Sequence, residues 1–188
     1  MPLNPPRYQP FYCEENIWHL CRESRFAASD SYVIVVANSV DGVLFCGQKA
    51  GVRPLKTLLW DYHVVLARHD DSTRWTLWDL DSCLGFPVSA LEYLSRTFPA
   101  DDHLPSDVRP MFRVIPGATY LCTFSSHRTH MVGNDGRFIK PPPPWEMITI
   151  EDHPDNLDRF VDMTTPFVGE VLDLEAMTNF FDRPPTAP

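Results

Sequence analysis

Apolar side chains recur along the chain with two periods, one typical of helices and one of strands. In residues 13–25, Cys13, Ile17 and Leu20 fall at spacings that place them on one face of a helix. The unbroken apolar run at residues 33–37 predicts a buried strand. The other predicted elements are strands at 58–68, 74–80 and 111–115, and helices at 87–98, at 156–163 and after Asp173, which would cap it.

This order of elements predicts the fold class. One helix, then a block of strands, then mixed elements favours an α+β fold, with an antiparallel β-sheet packed against helices, over alternating βαβ units. The length of 188 residues fits a single domain, and 44% hydrophobic residues suffice for a core. Nineteen prolines cluster at 2–10, 141–144 and 184–188. We therefore expect extended Pro-rich tails at 1–10 and 183–188 within one domain of residues 1–188.

Charge and cysteine usage exclude several classes of protein. Sixteen Lys and Arg against 25 Asp and Glu give a net charge of −9, which disfavours nucleic acid and suits a neutral or cationic partner such as a peptide amine. Residues 1–12 lack the apolar segment of a signal peptide, and no run of about 18 apolar residues predicts a membrane span. The five cysteines are scattered without a CxxC pair, so we expect no disulfide framework, no structural zinc and a reducing, cytoplasmic compartment.

A polar pair, Asp61 and His63, interrupts the otherwise apolar strand predicted at 58–68. If residues 69–73 form a hairpin loop and Arg68 faces Arg74, then His63 faces Asp79 on the next strand. An aspartate at that distance can orient an imidazole and raise its basicity, as a catalytic pair requires. The alternative interpretation is a structural His–Asp pair in a core hairpin.

The same register places Asp61 opposite Asp81. Two facing carboxylates repel each other, so they would share a cation or lie on a solvated rim. The functional interpretation is a site for a substrate ammonium, and the solvated rim remains the alternative.

A nucleophile for this site is predicted at the start of the first helix. Cys13 lies in the first helical turn, where unpaired backbone N–H groups and the helix dipole stabilise a thiolate. Glu14 and Glu15 oppose thiolate formation by repulsion, but acidic residues also suit a first turn. Cys21 lies further along the apolar face and is expected in the core, which is also the alternative for Cys13.

Two other motifs have open interpretations. His127 and His130 could share a metal on a helix, but no third ligand follows at a telling spacing, so a loop is favoured and no metal site is predicted. The four prolines at 141–144 could bind an SH3 or WW domain, or pack internally as a rigid wall beside Trp145.

Three segments resemble the protein N-terminal glutamine amidohydrolase family. They are YCEENIW at 12–18 with Leu20 and Cys21, WDYHVVL at 60–66, and DLD at 79–81. Weaker likeness at 112–115, 126–131 and 141–144 extends the resemblance from about residue 8 to about residue 181 in the same order. The chain has Thr129 where the family has serine, which is a mild departure.

The resemblance implies a monomeric α–β enzyme with a papain- or transglutaminase-like catalytic core and no cofactor. Its reaction would convert the N-terminal glutamine of a peptide or protein to glutamate and release ammonia, feeding the N-degron pathway. The family's triad falls on Cys13, His63 and Asp79, with a thioester intermediate on the cysteine. It implies a cytoplasmic protein that could also enter the nucleus.

Substrate recognition and function leave alternatives. Glu14, Asp61 and Asp81 are the candidates for binding the substrate's free ammonium in this acidic chain. A thiol peptidase or transglutaminase-like enzyme could use the same three catalytic residues. A non-catalytic protein that displays its proline segments to WW or SH3 partners is the alternative from another class.

Overall fold

The computed structural model describes residues 5–26, 31–40, 42–52, 56–69, 74–98, 108–151 and 154–182. The strands are β1 Ser31–Ala37, β2 Val43–Phe45, β3 Leu58–Trp60, β4 His63–His69, β5 Trp75–Trp78, β6 Val88–Ser89, β7 Met111–Pro116 and β8 Glu170–Leu172. The α-helices are α1 Cys13–Cys21, α2 Ala90–Thr97, α3 Gly117–Thr123, α4 Leu157–Val161 and α5 Leu174–Asp182. A 3₁₀ turn spans Thr129–Met131.

A six-stranded sheet with the order β6-β5-β4-β1-β7-β8 forms the centre of the molecule, and all its neighbouring strands are antiparallel. Strand β1 is buried on both faces, as the apolar run predicted. Val33 and Val35 pack in the core with α1, α3 and α4, whereas Ile34 and Val36 pack in the opposite core with α2 and α5. The predicted α+β class with an antiparallel sheet is thus confirmed.

Several predicted boundaries were wrong. Helix α1 ends at Cys21, and the chain continues in tighter turns, in which Glu23 N–H donates to Leu20 C=O and Phe26 N–H to Glu23 C=O. The helix predicted at 87–98 begins only at Ala90, because the residues before it form the edge strand β6. The last helix agrees with its predicted cap, since Asp173 Oδ1 accepts from Ala176 N–H at 2.8 Å.

The predicted strand at 58–68 is in fact two strands in two sheets. Residues Leu58–Trp60 pair with β2 in a separate two-stranded sheet, and the chain enters the main sheet only at His63. The chain passes from one sheet to the other at Asp61. Asp61 Oδ1 accepts a hydrogen bond from the Tyr62 backbone N–H at 3.0 Å, so this N–H does not bond to a neighbouring strand. Asp61 and Asp81 are therefore not cross-strand partners, which corrects that prediction.

The register between β4 and β5 is shifted by two residues from the predicted one. Arg68 pairs with Thr76, and the ladder ends where Leu66 pairs with Trp78. Asp79 follows the strand instead of facing His63 directly. Because the shift is even, Asp79 stays on the face of the sheet that His63 occupies.

The proline segments are partly described. Residues 5–10 form no helix or strand, whereas the tail positions 1–4 and 183–188 lie outside the described residues. Within the described chain, no helix is both long and apolar enough to cross a membrane.

Candidate active site

Helix α1 starts at Cys13 with an unpaired first turn. Tyr12 stands at the N-cap position and makes no side-chain capping bond, so N–H groups of the first turn remain without intrahelical partners. The entry is fixed by Gln9, whose N–H donates to Asn16 Oδ1 and whose carbonyl accepts from Asn16 Nδ2, both at 2.8 Å. Phe11 completes the turn with a φ of 70°. The sulfur is thus held at a helix start, as predicted.

His63 begins β4 and is buried between aromatic rings. Trp60 stacks parallel to the imidazole at 5.7 Å, and Phe45 meets it edge-on at 5.4 Å. Its Nε2 lies 2.9 Å from Asp79 Oδ1. Because Asp79 engages Nε2, Nδ1 is the ring nitrogen left for proton exchange.

Asp79 is fully buried and accepts four hydrogen bonds. Besides His63, its donors are the Asp81 N–H at 2.9 Å, Gln48 Nε2 at 3.1 Å and Tyr93 Oη at 2.8 Å. Burial opposes its ionisation, but the charge and hydrogen bond of His63 outweigh burial and lower the pKa of Asp79 to about 2. Burial likewise opposes protonation of His63, but Asp79 outweighs it and raises the pKa of the imidazole.

The Cys13 thiol does not have the low pKa expected at a helix start. The side chain is almost completely buried, and this burial, with the charges of Glu14 and Asp81, raises its pKa well above the ordinary value. The Val64 backbone N–H, which follows His63 in the chain, acts in the opposite direction. The thiolate therefore needs a base, and desolvation is the physical reason that the helix dipole does not suffice.

Cys13 and His63 both line one cavity of about 760 Å³. Two of the acidic candidates, Asp61 and Asp81, line it with them. The third candidate, Glu14, is not among the residues that line it. The structure thus brings Cys13 and His63 to one cavity, with Asp79 buried against the imidazole, and separates Glu14 from Asp61 and Asp81.

Within the described residues, one group of side chains has the geometry to hold a metal ion. Ligand atoms of His63, Asp79 and Asp81 lie within 4.8 Å of one another. His63 Nε2 and Asp79 Oδ1 already form the hydrogen bond described above. We therefore interpret His63 and Asp79 as a hydrogen-bonded pair.

Two residues that support the imidazole, Gln48 and Tyr93, were not predicted from the sequence. Gln48 joins Asp79 to the stacked ring, because its Oε1 also accepts from Trp60 Nε1 at 3.4 Å. Tyr93 reaches Asp79 from α2. No local pattern marks either residue, since each is one polar side chain brought in from a distant element.

A buried ion pair anchors α1 from behind. Arg128 Nε and Nη2 lie 2.7 and 2.9 Å from the two carboxylate oxygens of Glu15, which also accepts from Trp145 Nε1 at 2.7 Å. Arg128 is held at a φ of 61° and also donates to the Trp145 carbonyl at 2.9 Å. This arrangement fixes the segment after the prolines against the helix that carries Cys13.

Replacing Arg128 with alanine should lower the free energy of unfolding by about 3–5 kcal/mol, because Glu15 would remain buried without its cation. Urea titration followed by tryptophan fluorescence measures the loss. The exposed pair of Arg96 and Glu92 provides the control, and Arg96→Ala should cost less than about 1 kcal/mol. Equal losses for both variants would contradict the anchoring role.

The four-proline run packs only partly against the protein, because three of its four prolines remain exposed. Pro143 is buried, and the Pro141 carbonyl accepts from Gln9 Nε2 at 3.0 Å. The Trp145 ring meets His19 of α1 at 4.9 Å. This segment therefore forms a wall beside the entry to α1.

Comparisons with known proteins agree with the resemblance seen in the sequence. A family model described as N-terminal glutamine amidase matches residues 8–181. The protein N-terminal glutamine amidohydrolase of Drosophila ananassae is 37% identical over 183 residues, covering 94% of this chain and 89% of that protein. The proteins of the same name from Drosophila pseudoobscura pseudoobscura and Drosophila melanogaster are 36% and 37% identical over the same shares. The chain therefore belongs to the N-terminal glutamine amidase family.

Proposed function

We propose that this protein hydrolyses the side-chain amide of an N-terminal glutamine to glutamate and releases ammonia, with Cys13 as nucleophile. The observation that carries the proposal is that His63, which is hydrogen-bonded to the buried Asp79, lines the same cavity as Cys13 at its helix start. The names of the relatives supply the substrate. Cys13 begins helix α1, His63 begins strand β4, and Asp79 follows strand β5. This placement of a cysteine, a histidine and an acid also supports a papain- or transglutaminase-like core.

The proposed chemistry uses Cys13, His63 and Asp79 in two stages. His63 removes the thiol proton, and Cys13 Sγ bonds to the carboxamide carbon of the glutamine. Imidazolium then donates that proton to the departing nitrogen as the C–N bond breaks, leaving ammonia and a thioester. Water activated by His63 attacks the thioester, the C–S bond breaks, and the thiol is restored. Asp79 holds the imidazole tautomer and stabilises its charge throughout.

The oxyanion formed in each step needs hydrogen-bond donors close to the sulfur. The uncapped first turn of α1 supplies backbone N–H groups there, beginning with that of Cys13. These donors are fixed before the substrate arrives, which is the condition under which they stabilise the transition state most.

The direct test uses three peptides that differ only at the first residue. We expect ammonia, with unchanged peptide length, from a peptide with a free N-terminal glutamine, and none from its N-acetylated or Asn-initiated counterparts. Ammonia is measured with a coupled enzymatic assay and length by mass spectrometry. Chain cleavage would instead favour the thiol peptidase, and cross-linking to added amines the transglutaminase-like enzyme.

Asp81 is the best placed of the three candidates to bind the substrate ammonium. It lines the cavity, and an oxygen of its carboxylate lies within 4.8 Å of a ring nitrogen of His63. Tyr8 Oη donates to Asp81 Oδ1 and fixes its orientation. Asp61 also lines the cavity but is exposed on the bend before β4, and Glu14 is sealed behind the cavity.

Replacing Asp81 with asparagine should therefore raise KM for a free Gln-initiated peptide by roughly tenfold, the value of one charge-assisted hydrogen bond. The kcat should change much less, because the ammonium does not react. Steady-state kinetics with the free peptide give both constants. A fall in kcat with an unchanged KM would show that Asp81 does not bind the substrate ammonium.

The cellular setting is also a proposal. All five cysteines, each within the described residues, carry free thiols, which supports a reducing compartment such as the cytoplasm, with the nucleus as a second location. We propose that the enzyme acts there as a monomer and that its product, an N-terminal glutamate, enters the N-degron pathway. Pro141 and Trp145 tie residues 141–145 to the N-terminal part of the chain, but three of the four prolines are exposed, so the deamidation assay decides for or against the alternative of a non-catalytic proline-displaying protein.

A further inference from the structure

Glu14, the residue after the nucleophile, lies in direct contact with the sulfur. Its side chain has no exposed surface, and its Oε2 lies 3.7 Å from Cys13 Sγ, within hydrogen-bond range for sulfur. Tyr62 Oη donates to the same oxygen at 3.1 Å. The other oxygen, Oε1, has no hydrogen-bond partner among the described residues. This carboxyl group is thus buried, half satisfied and adjacent to the reacting atom.

No strong cation compensates a charge at Glu14 within the described structure. Arg128 is bound to the neighbouring Glu15. His130, from the 3₁₀ turn, places Nε2 at 3.6 Å from Oε1, but burial lowers the pKa of this histidine and favours its neutral form. Burial, with the charge of Glu15 on the same helix, raises the pKa of Glu14 to about 8.

Glu14 also interacts with His63, whose pKa its charge raises, whereas its remaining hydrogen-bond partners are uncharged. Tyr120 of α3 donates from Oη to the Glu14 carbonyl at 3.2 Å, and Tyr62 reaches it from the bend before β4. Burial raises the pKa of both phenols well above the ordinary value, so both stay protonated. A buried carboxyl group surrounded by neutral partners is stable only as the acid.

The short distance to the sulfur makes two negative charges incompatible. A thiolate and a carboxylate at this separation, without solvent between them, repel each other strongly. When His63 takes the thiol proton, Glu14 must therefore be neutral. A carboxylate can only accept a hydrogen bond from the thiol, whereas a carboxylic acid can donate one to the thiolate.

We propose that Glu14 is a positioning residue that stays a neutral carboxylic acid and donates a hydrogen bond from Oε2 to the Cys13 thiolate once His63 has accepted its proton. This inference rests on the proposed function, because it assumes that Cys13 is the nucleophile. The proton of Glu14 is not transferred, so the reaction described above keeps its balance. The acid is a permanent part of the site that makes a buried thiolate possible.

The first test compares Glu14→Gln with Glu14→Leu, using iodoacetamide and mapping the alkylated peptide that contains Cys13. At pH 7 the glutamine variant should react within about threefold of wild type, because its amide is also a neutral donor. The leucine variant should react roughly tenfold more slowly, because it lacks the hydrogen bond. Glu92→Gln, which removes an exposed acid on α2, is the control and should match wild type.

The pH dependence supplies a readout that a purely structural role would not change. In wild type the increase of the rate with pH should flatten above pH 8, since ionised Glu14 then disfavours the thiolate. In Glu14→Gln, which has no carboxyl group to ionise there, the rate should continue to increase past pH 8. Alkylation of Glu14→Gln at least tenfold faster than wild type at pH 7 would show a carboxylate in wild type and overturn the proposal. Equal rates for the glutamine and leucine variants would overturn it as well.

Infrared spectroscopy of the wild-type protein keeps the proposal testable if a variant does not fold. The C=O stretch of a protonated carboxyl group should be present at pH 7 and disappear as the pH rises past 8. Its absence at pH 7 would contradict the proposal. None of these measurements uses a substrate, so they can fail while the deamidation assay succeeds, and the two proposals are separately decided.

Discussion

Replacing Cys13 with serine should reduce kcat/KM for a Gln-initiated peptide by at least about 10³-fold. The serine hydroxyl has a far higher pKa than a thiol, so His63 cannot generate a comparable nucleophile. The carboxylic acid of Glu14 and the first-turn N–H groups would remain in this variant. Its residual rate acceleration would therefore come only from substrate binding and oxyanion stabilisation. Ammonia release under single-turnover conditions measures the effect without interference from product release.

Cys83→Ser is the matched control for this experiment. Cys83 is exposed and does not line the cavity, so the same substitution there should leave kcat/KM unchanged. The thermal unfolding midpoint of both variants should lie close to that of wild type, because Cys13→Ser changes a single buried atom. Activity of Cys13→Ser within tenfold of wild type would exclude this cysteine as the nucleophile.

Replacing Asp79 with asparagine should lower kcat by roughly 10²- to 10⁴-fold with little change in KM. Asparagine is neutral and can present its amide N–H to Nε2, which stabilises the wrong imidazole tautomer and withdraws support from the imidazolium. Removal of the negative charge also disfavours protonated His63, so its pKa should fall. The acidic limb of the pH–rate profile assigned to His63 should accordingly move to lower pH.

Tyr93→Phe is the graded control for Asp79. It removes one hydrogen bond to Oδ2 but leaves the bond between Oδ1 and His63 intact. We expect a loss of roughly tenfold or less in kcat, in keeping with one hydrogen bond. A histidine NMR titration that shows an unchanged His63 pKa in Asp79→Asn would contradict the orienting role.

Two of the proposed catalytic residues could be predicted from sequence because each leaves a local signature. Cys13 lies where a helical apolar period begins, and His63 is a polar residue in an apolar strand. Asp79 followed from counting across a hairpin. The count was wrong by two residues, and it found the aspartate that contacts His63 only because an even shift keeps a side chain on its face of the sheet.

Other parts of the site left no such signature. The break at Asp61 replaced one predicted strand with two, since a side-chain hydrogen bond to the next backbone N–H competed with strand pairing. Gln48 reaches the site from a segment far away in the chain, and nothing in its neighbours distinguishes it from a surface residue.

The sequence by itself determined the helix that presents Cys13, the buried strand core, the α+β class and the family, because periodicity and short motifs are local properties. Only the tertiary structure decided the protonation of the site. The sulfur, the imidazole and the carboxyl group of Glu14 have ordinary affinities for protons in the unfolded chain. Burial and mutual proximity change those affinities, and both arise only when distant segments pack together.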